Sequence, residues 1–352
     1  MLHRKQYRVA VRVTIMVLAL TLTACGTQEN TGSTESVKST EAMENAETVK
    51  STETVENTDT VESTETIENA EIIEAMVSES VAPQGTANVT PQMQPVEYTN
   101  LQQITLDSTW EYADHSKINS GAAVLYPAPE ESGRKGIIIG VNAGHGTAGG
   151  AKVKTLCHPD GSAKVTGGST AAGATEAAAV SGGMTFQDGT PEREVTLRMA
   201  QILRDKLLSS GYDVLMLRDS EDVQLDNVAR TVICNNVADC HIALHWDSGD
   251  GKNYDKGCFY ISVPETLKTM EPVASHWQQH DTLGTDLVEG LREQGTMIYG
   301  KGNMSIDLTQ TSYSTIPSVD MELGNAYSDH SDVVLEQLAT GLLAGINTYF
   351  EQ

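Results

Sequence analysis

The chain has 352 residues, of which 39% are hydrophobic and 5% aromatic. This length accommodates two domains, or one domain with long appendages. Its 48 acidic and 23 basic residues give a formal charge of −25. That charge argues against a nucleic-acid-binding protein, which needs a basic face to neutralise phosphates.

Residues 1–24 have the layout of a secretory signal. Four basic residues come first: Arg4, Lys5, Arg8 and Arg12. The apolar run that follows, Val13–Leu22, is far shorter than the roughly 20 residues of a membrane-spanning helix. It ends in LTACG, with Cys25 as the fourth residue, and resembles a bacterial lipobox. The resemblance implies lipidation of Cys25 and a lipoprotein on the outer face of the cytoplasmic membrane; a plain signal peptide is the alternative.

Residues 25–95 predict a disordered acidic tether. Three 12-residue repeats occupy residues 39–74 and read STEAMENAETVK, STETVENTDTVE and STETIENAEIIE. Charged residues recur at every third position, whereas an α-helix needs a period near 3.6 to keep one face. The segment lacks aromatic residues and buries too little surface to offset its ordering entropy. We expect a flexible spacer of about 45 Å; a binding repeat is the alternative.

An ordered lead-in at residues 96–133 precedes the folded domain at residues 134–352. The predicted strands span residues 137–141, 212–217, 241–244, 258–263 and 318–323, and the predicted helices span residues 192–208, 223–236, 285–294 and 333–350. Alternating strands and helices predict a three-layer α/β fold with a largely parallel twisted sheet flanked by helices. Ligands of such sheets bind beyond the carboxyl ends of the strands.

Two histidines and one glutamate stand at strand ends or at a helix start. His145 follows the first strand, His245 closes the third, and Glu192 opens the first long helix, with Glu194 as its alternative. Two imidazoles and one carboxylate are a usual ligand set for one catalytic zinc ion, whose fourth position is left to water. Glu322, at the end of the last strand, is the candidate acid/base.

Four short motifs follow one another through residues 134–352. They are the strand with its Ala-Gly-His-Gly end (Ile137–Gly146), the helix start with Glu192, Val195 and Leu197, the set Arg230, Asn235, Asp239 and His245, and the run Pro317, Val319, Glu322 and Gly324. Together they resemble the zinc-dependent N-acetylmuramoyl-L-alanine amidases of bacterial cell-wall metabolism. The resemblance implies that His145, Glu192 and His245 bind zinc and that Glu322 is catalytic. It also implies hydrolysis of the amide between N-acetylmuramic acid and L-alanine in peptidoglycan.

The sequence departs from the family pattern at three places, of which one is Trp246-Asp247 directly after His245, where the family commonly has Ala-Asn. Asn142 stands where the family usually has an acidic residue, which weakens the expected support of the first histidine ligand. Between His145 and Glu192 lie 46 residues, more than usual, and we expect a lid or a substrate-gripping loop with a regulatory role. The adjacent pair Cys157 and His158 lies in this loop, which argues against a second metal site there.

Substrate-binding and thiol roles rest on weaker patterns. Asp307 lies in a segment that lines the substrate cleft of similar amidases, and Asn325 follows Glu322 closely; both are candidates for substrate binding. Free thiols are favoured over disulfides at the four cysteines besides Cys25, which are Cys157, Cys234, Cys240 and Cys258.

Two other functions remain open. One is a non-catalytic wall-binding lipoprotein with the same fold, although the retained ligand set and Glu322 argue against it. The other is a different zinc peptidase on this fold, which the sequence separates poorly because loops form the pocket walls. An unidentified activator protein is a further candidate partner.

Overall fold

The computed structural model describes residues 98–249, 251 and 253–351. The predicted signal peptide, the lipidation of Cys25 and the tether over residues 25–95 lie outside these residues. Within them, every helix is too short or too polar to cross a bilayer.

An eight-stranded sheet forms the centre of the fold. Its strands, in spatial order, are β1 (Gln102–Ile104), β2 (Ala123–Tyr126), β6 (Asp213–Met216), β3 (Ile138–Ala143), β7 (Cys240–Asp247), β10 (Ser318–Asn325), β8 (Cys258–Ser262) and β9 (Ile298–Ser305). The four strands from β6 to β10 are parallel, whereas β2 and β8 flank them antiparallel. The predicted, largely parallel sheet is confirmed.

Five α-helices cover both faces of the sheet. They are α1 (Glu192–Ser209), α2 (Asn227–Val237), α3 (Val273–Glu293), α4 (Thr309–Tyr313) and α5 (Asp332–Phe350). Helices α1, α3 and α5 pack together over one face, and α2 and α4 pack over the other. This arrangement confirms the predicted three-layer α/β fold.

Side-chain periodicity explains the layers. On α1, Val195, Met199, Leu203 and Leu207 recur every fourth residue and are buried, and burial of each such side chain stabilises the fold by about 1.5–3 kcal/mol. The helix stops before Gly211, whose φ of 85° is readily adopted only without a Cβ.

Side-chain periodicity also decides which residues of β7 and β10 lie in the core and which lie on the opposite face of the sheet. On β7 and β10, Leu244 and Met321 lie in the main core. Because successive side chains of a strand point to opposite faces, His245 and Glu322 share the other face, where they are register partners.

The lead-in extends the sheet through β1 and β2. Asp226 fastens it to α2. One carboxylate oxygen caps the helix by accepting from Ala229 N at 2.8 Å, and the other accepts from Lys117 N at 2.6 Å and Ile118 N at 2.8 Å. The lead-in therefore shares hydrogen bonds with a helix more than a hundred residues away in sequence.

The structure differs from the sequence prediction in several connections. Helix α3 begins at Val273, before the predicted residue 285, and β9 and α4 were not predicted. Residues 146–191, which we call the strap, are ordered around a small hairpin of β4 (Lys154–Leu156) and β5 (Glu176–Ala178). The four described cysteines are buried free thiols, as favoured from the sequence; burial raises the pKa of each of them.

Candidate active site

Three elements bring the predicted ligands to one edge of the sheet. His145 lies two residues beyond the end of β3, and His245 lies near the end of β7. The strands are parallel neighbours, so their carboxyl ends meet at the same edge. Glu192, the first residue of α1, approaches from the face that this helix covers.

The donor atoms of the three side chains converge. His145 Nε2 lies 2.8 Å from Glu192 Oε1 and 3.1 Å from His245 Nδ1, and His245 Nδ1 lies 3.2 Å from Glu192 Oε1. Ligand atoms around a tetrahedral zinc ion with bonds of about 2.0–2.1 Å are roughly 3.3 Å apart. The spacing and the donor types therefore fit zinc. Glu194, the alternative to Glu192, is exposed and outside this group.

The charges around the group favour a cation. Although burial opposes ionisation, hydrogen bonds with the two imidazoles hold the pKa of Glu192 well below its usual value. Burial also disfavours a charged His245, yet neighbouring carboxylates, Asp320 foremost, raise the pKa of His245 to about 10. An environment that stabilises a proton on this ring also stabilises a divalent cation at the same point.

Two buried arginines hold the backbone at His145, whose φ of 65° is uncommon for a residue with a side chain. Arg230 donates to His145 O at 2.7 Å and to Asn142 Oδ1 at 3.0 Å. Arg218 donates to Gly144 O at 2.9 Å. Sequence reasoning had included Arg230 in a motif but had missed Arg218. Its position just after β6 was the available signal, since that strand ends at the same edge.

Glu322 stands beside His245 and faces the cavity. Its Oε2 has no hydrogen-bond partner among the described residues, and burial, followed by the charge of Asp320, raises its pKa well above the usual value. Asp320 Oδ2 lies 3.8 Å from His245 Nε2, and burial raises the pKa of Asp320 as well. Sequence reasoning missed Asp320, although the two-residue alternation of a strand places it on the face of Glu322.

A cavity of about 570 Å³ opens over these residues. The ligands and Glu322 lie among its lining residues, one wall is formed by the strap and another by residues 306–310. The strap is therefore part of the cavity wall, and its predicted regulatory role stays a prediction.

Asp307 and Asn325, the weaker substrate-binding candidates, are fully buried. The carboxylate of Asp307 accepts from His158 Nε2 at 2.9 Å and Val165 N at 2.8 Å; these bonds outweigh burial and lower its pKa. Asn325 Oδ1 accepts from Tyr327 N at 2.9 Å. Both polar groups thus bind within the chain, and contact with substrate stays a prediction.

Two solved structures are similar to the chain, and the first of them supports the fold. An N-acetylmuramyl-L-alanine amidase from Mycobacterium smegmatis superposes with a TM-score of 0.51 at 17% identity, over 61% of this chain and 97% of that one. The apo amidase from Mycobacterium abscessus gives a TM-score of 0.49 at 20% identity, over 61% of this chain and 99% of that one.

Comparison of sequences gives two matches. A D-alanine–D-alanine ligase from Francisella philomiragia is 25% identical over 173 residues, which are 43% of this chain and 55% of the ligase. The chain thus spans about half the length of this curated relative. The N-acetylmuramoyl-L-alanine amidase family model matches residues 139–344, which include the three candidate ligands and Glu322. Since this match covers more than half of the chain, the protein belongs to the N-acetylmuramoyl-L-alanine amidase family.

Proposed function

We propose that the protein is a zinc-dependent amidase that hydrolyses the bond between N-acetylmuramic acid and L-alanine in peptidoglycan. The observation that carries the proposal is the convergence of His145, Glu192 and His245 beside Glu322, in a chain of this family. A zinc ion on the three ligands would polarise the lactyl carbonyl and lower the pKa of a water molecule towards neutrality.

Glu322 moves the protons in this reaction. Its side chain lines the cavity next to His245 and has one carboxylate oxygen without a hydrogen-bond partner among the described residues, and a base must lie within reach of the proton that it abstracts. Glu322 takes a proton from the attacking water and returns it to the leaving nitrogen. The hydroxyl adds to the lactyl carbonyl carbon, the C–N bond breaks, and the products are a lactyl carboxylate and the free amino group of L-alanine.

Digestion of purified peptidoglycan by the full-length protein tests the proposal. We expect equal amounts of new alanine amino termini and free lactyl carboxylates with zinc, and neither product with a chelator. Glu322→Gln should still bind one zinc ion per chain but lose about 10²–10⁴-fold in rate, the usual contribution of a general base.

Two results would contradict the amidase. New amino termini without lactyl carboxylates would mean that peptide bonds are cut, as by another zinc peptidase. Stoichiometric zinc binding without any cleavage would indicate a wall-binding protein.

We also propose that a lipid on Cys25 anchors the protein to the outer face of the cytoplasmic membrane, which the basic n-region, the apolar run and the LTACG sequence support. Acyl chains hold a protein at a membrane through about 0.8 kcal/mol per buried CH₂ group. Cys25→Ser should abolish labelling by a fatty-acid probe and release the protein from the membrane pellet. Retention of the label in Cys25→Ser would refute this assignment.

A further inference from the structure

The strap joins the first candidate ligand to the second. It begins at Gly146, directly after His145, and ends at Pro191, directly before Glu192. Its course between these points brings one short segment, Ser181–Met184, back against both ligands.

Ser181 and Met184 contact the ligands through their backbones. His145 Nδ1 lies 3.0 Å from Ser181 O, and since a carbonyl only accepts, the ring donates from Nδ1, which leaves Nε2, 2.8 Å from Glu192 Oε1, as the nitrogen that would bind a metal. Met184 N donates to Glu192 Oε2 at 2.8 Å, while Trp246 N of β7 donates to Oε1 at 3.0 Å; the strap thus holds the carboxylate oxygen that points away from the imidazoles.

Gly183 makes this approach sterically possible. Its φ is 81°, and a Cβ at this position would lie 2.8 Å from His145 Cδ2 and 3.0 Å from Glu192 Oε2. No side chain fits there without displacing a ligand.

The far part of the strap is fastened to the opposite wall of the cavity through Asp307. Besides the bonds from His158 and Val165, Asp307 N donates to Thr166 Oγ1 at 2.8 Å, and the Lys164 ammonium donates to Asp307 O. The side chains of His158 and Asp307 are fully buried, so these bonds hold the strap without competition from water.

Strand β3 does not provide the same support. Asn142 Oδ1 accepts from Arg230 Nη1 at 3.0 Å, and within the described part of the chain the Nδ1 atom of His145 contacts only Ser181, through its carbonyl and its hydroxyl. Among the described residues, the strap is therefore the element that sets the orientation of the His145 ring.

We propose that the strap is a positioning element of the metal centre, with the Ser181 carbonyl orienting the His145 ring and the Met184 amide helping to orient Glu192. The inference rests on the metal site of the proposed function. Loss of such outer partners typically weakens metal binding by about 10–100-fold.

Zinc affinity of the full-length protein, measured by competition with a chromophoric chelator, tests the proposal. Gly183→Ala should raise the zinc dissociation constant by about 10–100-fold and change the visible spectrum of the Co²⁺-substituted protein. Gly182→Ala is a matched control, because a Cβ there meets nothing within 4 Å. Gly161→Ala is the second control. Its backbone has a strained φ of 75°, and a Cβ at this position also meets nothing within 4 Å. Both controls should bind zinc as the wild type does.

The outcomes distinguish a failure of the strap proposal from a failure of the metal site on which it rests. Unchanged affinity and spectrum in Gly183→Ala would overturn the proposal, and equal weakening in Gly161→Ala would attribute the effect to strain. Failure of the wild type to bind zinc, or wild-type binding by His145→Ala, would instead refute the metal site.

A measurement on the unaltered protein covers the case in which Gly183→Ala does not fold. Nitrogen NMR of the zinc-loaded protein, with the His145 signals identified by their loss in His145→Gln, reports which nitrogen of the ring carries the proton. We expect the Nδ1–H tautomer. The Nε2–H tautomer would overturn the proposal.

Discussion

The two candidate histidine ligands reach the same point of the molecule in different ways. His245 lies inside β7, where it pairs with Glu322 of β10 and directly follows Leu244, which pairs with Ala143 at the end of β3. His145 lies beyond the end of β3 with a φ of 65°, and groups distant in sequence hold its backbone and its ring. The ring centroids are only 4.6 Å apart.

The difference predicts unequal sensitivity to substitution. The backbone of a residue within a strand is held by the ladder of backbone hydrogen bonds, which does not depend on any single side chain. The loop position depends on a few buried donors, and loss of one leaves buried acceptors unpaired at a cost of about 1–3 kcal/mol each. Perturbations around His145 should therefore have the larger effects.

Replacement of Arg230 should have the largest effect. Its guanidinium is buried and serves five acceptors: Leu225 O, Asn142 Oδ1, Ala143 O, His145 O and Thr147 Oγ1. Arg230→Met should lower the free energy of unfolding by at least about 3 kcal/mol and weaken zinc binding. Urea unfolding of the metal-free protein gives the first quantity. The half-exposed Arg198 bonds at the surface, so Arg198→Met should cost less than about 1 kcal/mol; equal costs would contradict the prediction.

Gly144→Ala should disturb both ligands at once. A Cβ at Gly144 would lie 2.3 Å from His245 Cε1, so the loop of one histidine would push on the ring of the other. We expect a zinc dissociation constant about 100-fold higher, measured by chelator competition. Gly149→Ala has nothing within 4 Å of its Cβ despite a φ of 79°, and should bind zinc normally. Normal binding by Gly144→Ala would show that the His245 ring moves freely.

Acid should weaken the strand that carries His245. Four residues earlier, His241 is fully buried, neither ring nitrogen has a hydrogen-bond partner among the described residues, and burial lowers its pKa to about 3. Because this pKa lies below the unfolded value of about 6.5, the unfolded chain takes up the proton first as the pH falls. The stabilisation is complete above about pH 6.5 and is lost towards pH 3, with a slope of up to about 1.4 kcal/mol per pH unit.

Urea unfolding of metal-free protein between pH 7 and pH 4 measures this slope. His241→Leu should flatten it. A residual slope is expected from His280, whose pKa burial also lowers to about 3. An unchanged slope in His241→Leu would contradict the assignment.

Asn142→Asp should have the smallest effect. A carboxylate 3.0 Å from Arg230 Nη1 converts a neutral acceptor into a charged one, and charge-assisted hydrogen bonds are stronger. We expect a gain of up to about 1 kcal/mol in unfolding free energy and little change in zinc affinity. A tenfold change in zinc affinity would show that residue 142 acts on His145 directly.

Much of the architecture is local in origin and was therefore predictable. The apolar run of β3 and the apolar stripe of α1 are periodic patterns within single elements, and α1 begins at the predicted residue Glu192. The start of α3 was placed too late because only His280 is buried between Val273 and Leu283, and β9 was missed because much of this strand is exposed. Zinc binding and the role of Glu322 stay predictions. The parallel pairing of β3, β7 and β10 explains why the side chains of His145, His245 and Glu322 meet at one edge of the sheet.

The sequence by itself determined which side chains are candidates for the chemistry and at which edge of the sheet they lie, because residue types and strand ends are local features of the sequence. Only the tertiary structure decided what holds them. Ser181 lies 36 residues from His145, and Arg230 lies 85 residues from it. Ser181 and Met184 act through a carbonyl and an amide that every non-proline residue possesses. Such partners leave no signature in the order of side chains, and packing alone selects which of them reaches the site.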